Sequence, residues 1–320
     1  MDGGDGQQDA AVAAFLAKLF KGRVDALERI SHGEWSRAFT FRRDGGEYVV
    51  RFSATDEDFL KDRRATGYAA QNLPMPKVVD IGEAFGAFYA ISERAPGEFF
   101  DTLDAEALMR VLPSLFAALD AARQADLSST SGFGLWQASG AAPHRTWREA
   151  LLEDAVDRQS SRIHGWHERL VASPLGTQAF DAAFERLKGL LDVCPEERHL
   201  IHSDLLNYNV LVAQDRITAV LDWGSSMYGD FVYDVAWLTF WQPWYPAWRD
   251  IDFRSAAERH YAAIGVEVPH FAERLRCYEL FIGMDGLAYK AFRSRWAELE
   301  ETAQHLVALA TAGVADRPLR

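Results

Sequence analysis

Asp204, Asn209 and Asp222 are the residues of this 320-residue chain best placed by type and spacing to do chemistry. They stand in His202-Ser203-Asp204-Leu205-Leu206-Asn207-Tyr208-Asn209 and, further on, Asp222-Trp223-Gly224, which read as H-x-D-x-x-x-x-N and D-x-G. A carboxylate, an amide oxygen five positions later and a second carboxylate beyond a short hairpin suit phosphoryl transfer. That reaction passes through a loose transition state, so a protein mainly positions groups and neutralises charge. Asp204 would accept the hydrogen bond of an attacking hydroxyl. Mg²⁺, a hard ion that takes oxygen ligands and few carboxylates, would rest on Asp222 and the amide oxygen of Asn209. His202 reads as a buttress of this loop. Each piece alone fits a solvated turn beside a hairpin; their order and spacing favour the chemistry.

These groups need elements to hold them. Val210-Leu211-Val212 and Ile217-Thr218-Ala219-Val220-Leu221 predict two short strands around Gln214-Asp215-Arg216, a hairpin that returns Asp222 to Asn209. Upstream, Val12, Phe15, Leu16, Leu19 and Phe20 recur at helical spacing over 9–20. Strands are expected at 37–41, 48–52, 77–81 and 88–93, with the turn Asp44-Gly45-Gly46 joining the first two and a helix over 56–71. This order resembles the small lobe of a protein kinase. In that frame Ser31, Gly33 and Ser36 fall in the phosphate loop. Arg51 supplies the cation on the following strand, its planar fork able to grip two phosphate oxygens, with Asp62 as its acidic partner. Ser92 to Ala95, including Arg94, would form the hinge that meets the nucleotide base. The expected fold is therefore α+β and two-lobed: a small β-rich lobe over 1–95 with one or two helices, a hinge near 92–97, and a larger, mostly helical lobe over 96–320. In the larger lobe a helix that Pro113 bends or divides precedes a long Ser/Gly/Ala-rich surface loop over 126–145. A capping box at Thr146 and Glu149 opens the next helix, and another covers 175–191.

Composition agrees with a well-packed enzyme: 48% hydrophobic and 12% aromatic residues exclude a disordered chain. Cys194 and Cys277 give neither a disulfide framework nor a metal spacing, which fits a reducing cytoplasm. Met1 to Gln8 lacks the positive start of a signal peptide, and no apolar run reaches the roughly 20 residues of a membrane span. A net charge of −13 argues against nucleic acid as partner and suits a cationic small molecule.

Past Asp222 the chain reaches Gly229-Asp230 at once, with no long activation segment and no A-P-E motif. Ser203 replaces the arginine that would clamp an activation-loop phosphate. Both features point to a small-molecule kinase that is always on. The segments Asp126 to Gly134, Ile217 to Trp223, Cys194 to Leu200 and Phe240 to Trp244 resemble the aminoglycoside phosphotransferase family, in particular its branch acting on hygromycin B. The likeness runs from the first helix to about Asp285. It implies a kinase-like two-lobe fold, ATP (or GTP) with Mg²⁺, Asp204 as base, Asn209 and Asp222 on the metal, and Arg51 on the phosphates. It also implies transfer to hydroxyl 4 of hygromycin B. Leu205 to Tyr208 is bulkier than the family pattern, which bears on the acceptor more than on the chemistry.

The acceptor pocket should come from the larger lobe, with Asp204, Asn207, Asp230, Trp241, Trp244 and Asp285 as its candidates. A carboxylate at Asp285 on an apolar helical stripe needs a partner, either a substrate ammonium or a buried arginine or backbone cap. Asp230 can serve the substrate or the structure, Asp234 should brace the catalytic loop, and Trp237 is expected in the core. A monomer is expected. Alternative functions are a kinase of another amino-bearing alcohol, choline-like or amino-sugar, a metal-dependent phosphoesterase using His202, Asp204 and Asp222, and a nucleotide-binding pseudokinase.

Overall fold

A computed structural model of the protein describes residues 3–22, 24–30 and 37–313. Helix α1 (Gly3–Leu19) precedes an antiparallel sheet of β1 (Asp25–Ile30), β2 (Arg37–Arg43), β3 (Gly46–Ser53), β4 (Val78–Ala84) and β5 (Ala87–Glu93), with α2 (Glu57–Ala65) between β3 and β4. The spatial order β1-β2-β3-β5-β4 makes β3 the central strand. Side chains alternate across a strand, and this alternation divides the sheet's work. Phe39, Val50, Phe52, Tyr89 and Ile91 bury one face against Val12 and Leu16 of α1. Arg51, flanked in register by Ala38 and Ala90, points to the other face. The β2–β3 turn has Asp44 and Gly45 at φ 50° and 80°, the paired left-handed conformation that matches strand twist in a two-residue hairpin.

Several expectations shift at this level. β1 was not foreseen: Asp25-Ala26-Leu27-Glu28-Arg29-Ile30 is largely charged and forms an edge strand. Helix α2 stops at Ala65 instead of continuing to Gln71, because the chain tightens into a turn at Thr66–Tyr68, where Thr66 Oγ1 donates to the Arg63 carbonyl at 2.7 Å.

The chain leaves the sheet through Pro96 and Gly97. The Pro96 carbonyl accepts Thr218 Oγ1 at 2.6 Å. Gly97 has φ +136°, and a Cβ there would lie 2.6 Å from the Val212 carbonyl oxygen. Only glycine lets the backbone pass so closely. Strand β6 (Glu98–Phe99) then pairs with the catalytic hairpin.

The larger lobe contains α3 (Ala105–Arg123), β7 (Gly134–Leu135), α4 (Trp147–Glu153), α5 (Trp166–Ala172), α6 (Gln178–Lys188), β8 (His199–Ile201), β9 (Val210–Ala213), β10 (Arg216–Val220), β11 (Met227–Gly229), α7 (Val232–Trp241), α8 (Phe253–Ala263), α9 (Phe271–Phe292) and α10 (Trp296–Thr311). Helix α9 is central and buried nearly all round, packed by α5, α6, α7 and α10. Pro113 does not divide α3. It lies on the solvent side, and so does Met109 one turn earlier, so water can take the carbonyl that the missing N–H leaves free. The segment 126–145 is no surface loop throughout: β7 pairs with β11, and Trp136 is buried flat against Tyr228. The Thr146 hydroxyl accepts the Glu149 N–H at 3.0 Å, as its capping role requires, while Glu149 itself takes the N–H of Arg145.

Candidate active site

Strand β8 delivers the catalytic loop, β9 and β10 form the hairpin, and β11 returns to pair with β8. The turn at Gln214 and Asp215 is again left-handed, φ 51° and 60°. Leu221 N–H donates to the Asn209 carbonyl at 2.7 Å, which brings Asp222 beside Asn209 as the spacing predicts.

The loop between them is held from all sides. Asp234, in the first turn of α7, accepts the N–H groups of His202 at 2.9 Å and Ser203 at 2.8 Å. His202 donates Nε2–H to the Leu221 carbonyl at 2.7 Å, so its Nδ1 is the acceptor for the Asp204 N–H at 3.2 Å. Burial pulls its pKa down to about 4, and the neutral ring spends both nitrogens on backbone. Asp204 itself is half-buried. Asn207 Nδ2 donates to Asp204 Oδ1 at 2.9 Å, and Asn209 Nδ2 reaches Asp204 Oδ2 at 3.1 Å and its carbonyl at 2.8 Å. These amides aim the carboxylate. Burial nonetheless raises its pKa to about 7, helped by the charges of Asp222 and Asp101 and opposed by the two amides. A base poised near neutrality suits proton transfer at physiological pH.

Because Asn209 spends its NH₂ on Asp204, its side-chain oxygen is left for a cation. Asp222 is open to solvent, and burial of its surroundings together with the Asp62 charge raises its pKa while Arg51 lowers it. Two hard oxygens on adjacent backbone segments are a donor set that fits Mg²⁺. Arg51 pairs with Asp62 through Nη2, and its guanidinium lies 5.2 Å from the Phe59 ring. Asp62 also accepts the Trp223 N–H at 2.8 Å, tying α2 to the D-x-G turn.

Other candidates fare differently. Ser31, Gly33 and Ser36 lie outside the described residues. Ser92 sits in the ladder between Val49 and Val78. Arg94, at the end of the sheet, donates its N–H to the Glu47 carbonyl at 2.9 Å and its guanidinium meets the Glu47 carboxylate at 3.3 Å. Asp230 is corrected as a substrate candidate. It is fully buried and accepts Arg274 Nε at 2.8 Å, Arg274 Nη2 at 2.6 Å, Tyr278 OH at 2.5 Å and the Val232 N–H at 3.2 Å, so all four of its lone pairs are taken inside the protein. Asp285 is the reverse case, solvent-accessible and with no hydrogen bond or ion pair among the described residues. Desolvation by its neighbours, with the Asp154 charge, raises its pKa to about 6, and the Lys290 charge opposes the shift. Trp244 Nε1 donates to Glu301 at 3.3 Å. The indole N–H groups of Trp237 and Trp241 are buried without a partner, and Trp241 stands under Lys290 at 4.4 Å.

Three groups escaped sequence reasoning. Asp101 accepts the Tyr208 N–H at 2.8 Å and keeps its Oδ1 buried and unpaired. Asp58 is gripped by Arg162, with Nη1 to Oδ2 at 2.9 Å. Lys61 is buried against the D-x-G turn. No motif marks them; only the acid-rich run 56–62 hinted at two.

Residues 26–275 match the phosphotransferase enzyme family. A protein from Escherichia coli named hygromycin-B 4-O-kinase is 38% identical over 279 residues, covering 87% of this chain and 78% of that one. Among solved structures, the aminoglycoside phosphotransferase APH(4)-Ia superposes with a TM-score of 0.82 at 34% identity, covering 95% of this chain and 99% of that one. A thermostable variant of it, a ternary complex with AMP-PNP and hygromycin B, gives 0.81 at 34% identity over 94% and 98%. The macrolide 2'-phosphotransferase MphH from Brachybacterium faecium, at 20% identity and a TM-score of 0.62 over 94% and 98%, shares the fold.

Proposed function

The chain belongs to the phosphotransferase enzyme family, and from that premise we propose that it transfers the γ-phosphoryl group of ATP to a hydroxyl of an aminoglycoside, hygromycin B first and its 4-hydroxyl in particular. The observation that carries this reading is Asp204: half-buried, aimed by two amides, and raised to about 7 where the loop meets Asn209 and Asp222. An acceptor hydroxyl would donate to its free lone pairs. As the new O–P bond forms and the bond to the leaving diphosphate breaks, Asp204 takes the hydroxyl proton. Arg51, held by Asp62, would meet the phosphates. Asn209 and Asp222 would hold Mg²⁺, which neutralises phosphate charge. Asp285, exposed and without a hydrogen bond among the described residues, would offer a cationic acceptor a carboxylate. The likeness to hygromycin-B 4-O-kinase and to the ternary complex supports both substrates.

A kinase of another amino-bearing alcohol is the second reading, since an unpaired Asp285 would serve any ammonium. A metal-dependent phosphoesterase is disfavoured, because His202 has no nitrogen left for a metal. Incubation with ATP, Mg²⁺ and hygromycin B should add one phosphoryl group by mass, located by NMR at hydroxyl 4. Unmodified hygromycin B beside a phosphorylated choline or amino-sugar alcohol would transfer the claim to the second reading.

A further inference from the structure

Helix α2 reaches the D-x-G turn with more than Asp62. Lys61 is 2% exposed. Its Nζ donates to the carbonyl oxygens of Gly224 at 2.6 Å and Ser226 at 3.2 Å, across the lobe junction. It also lies 4.5 Å from the centre of the Trp136 ring, which stacks on Tyr228 at 5.6 Å with planes 9° apart. A buried ammonium is costly unless paired. Two carbonyls, a ring face and the charges of Asp58, Glu57 and Asp62 support it, though burial still draws its pKa down to about 8.

The turn so gripped needs holding. Asp222 has φ 56° and ψ 75°, a left-handed conformation that a residue with a side chain keeps only where its surroundings enforce it. Among the described residues its carboxylate accepts one long hydrogen bond, 3.4 Å, from the Gly224 N–H. Consecutive residues of α2 therefore clasp the turn from both kinds of backbone group: Asp62 takes the Trp223 N–H at 2.8 Å, and Lys61 supplies the Gly224 and Ser226 carbonyls.

We propose that Lys61 is a positioning residue for Asp222, a latch from the small lobe that holds the D-x-G turn where its carboxylate can meet Mg²⁺–ATP. It acts through Gly224 and Ser226, not on the substrate. The inference rests on the phosphotransferase reading, but its test does not need turnover. Lys61→Met keeps the apolar stem and removes the ammonium; Lys61→Arg keeps the charge. Calorimetry with a non-hydrolysable ATP analogue, in Mg²⁺ and in EDTA, gives the Mg²⁺ concentration needed for half-maximal tightening. Lys61→Met should raise that concentration by about tenfold while leaving affinity in EDTA unchanged, and Lys61→Arg should fall between it and the unsubstituted protein. An unshifted Mg²⁺ dependence in both variants overturns the proposal. So does a parallel loss of affinity with and without Mg²⁺, accompanied by a lower Tm, because a purely structural lysine would act that way. If Lys61→Met fails to fold, Lys61→Arg decides by the same readout. Should the protein phosphorylate no acceptor while the Mg²⁺ shift appears, the phosphotransferase reading fails and the latch stands.

Discussion

The nucleotide side and the acceptor side of the cleft are both rich in charge, yet they are built in opposite ways. On the nucleotide side Arg51 has Asp62, Asp58 has Arg162, and Lys61 has two carbonyls. On the side we assign to the acceptor, Asp285 makes no hydrogen bond or ion pair among the described residues, and the indole N–H groups of Trp237 and Trp241 are buried without a partner. A buried polar group left unpaired costs about 1–3 kcal/mol. Paired charges hold elements together; an exposed, unpaired carboxylate is free to meet a ligand. Asp230 and Asp285 make the point within one lobe, since both are aspartates near the same helices and only one is spent on Arg274 and Tyr278.

The difference can be tested most strongly at Asp204, which stands on the seam. Asp204→Ala should lower kcat by roughly 10²–10⁴-fold, with binding of the ATP analogue retained because the Arg51–Asp62 pair is untouched. Wild-type turnover in that variant would remove the base from the mechanism. At the paired end of the acceptor lobe, Asp230→Asn leaves the Arg274 guanidinium buried without its counter-charge and should cost about 3–5 kcal/mol of stability, read by denaturant unfolding. Its unpaired counterpart, Asp285→Asn, should leave stability unchanged or improved, since it removes a poorly hydrated charge. It should instead raise the acceptor KM by about tenfold, the loss of roughly 1.4 kcal/mol. If Asp285→Asn destabilises and Asp230→Asn does not, the distinction between spent and waiting carboxylates collapses.

The smallest effect concerns pH. Asp204 must be ionised to accept a proton, and burial, Asp222 and Asp101 together place its pKa at about 7 in the free protein. The kcat/KM profile should therefore fall as pH drops through neutrality. Asp101→Asn removes a charge that favours the protonated form, so the acidic limb should move to lower pH. A limb that stays in place, or moves up, would show that Asp101 serves the Tyr208 backbone alone.

Much of the core chemistry was legible because it depends on short stretches of chain. The H-x-D-x-x-x-x-N loop, the hairpin and the D-x-G turn are set by local backbone geometry, and Leu221 N–H to the Asn209 carbonyl closes them as the spacing required. Arg51 and Asp62 were found through strand and helix order. Illegible features have a common cause. Whether the Arg94 guanidinium pairs with Glu47, whether 126–145 is a loop or packs on Tyr228, and whether Pro113 breaks α3 all turn on what lies opposite in space.

By itself, the order of residues determined the hairpin that brings Asp222 beside Asn209 and the β-then-α plan, since these follow from bond geometry and periodicity over a few residues. Only tertiary structure decided which carboxylates are already satisfied. Asp230 meets Arg274 and Tyr278, and Lys61 meets Gly224, across separations of 44, 48 and 163 residues. Hydrogen bonding falls off within a few tenths of an ångström, so partners that far apart in the chain are chosen by packing.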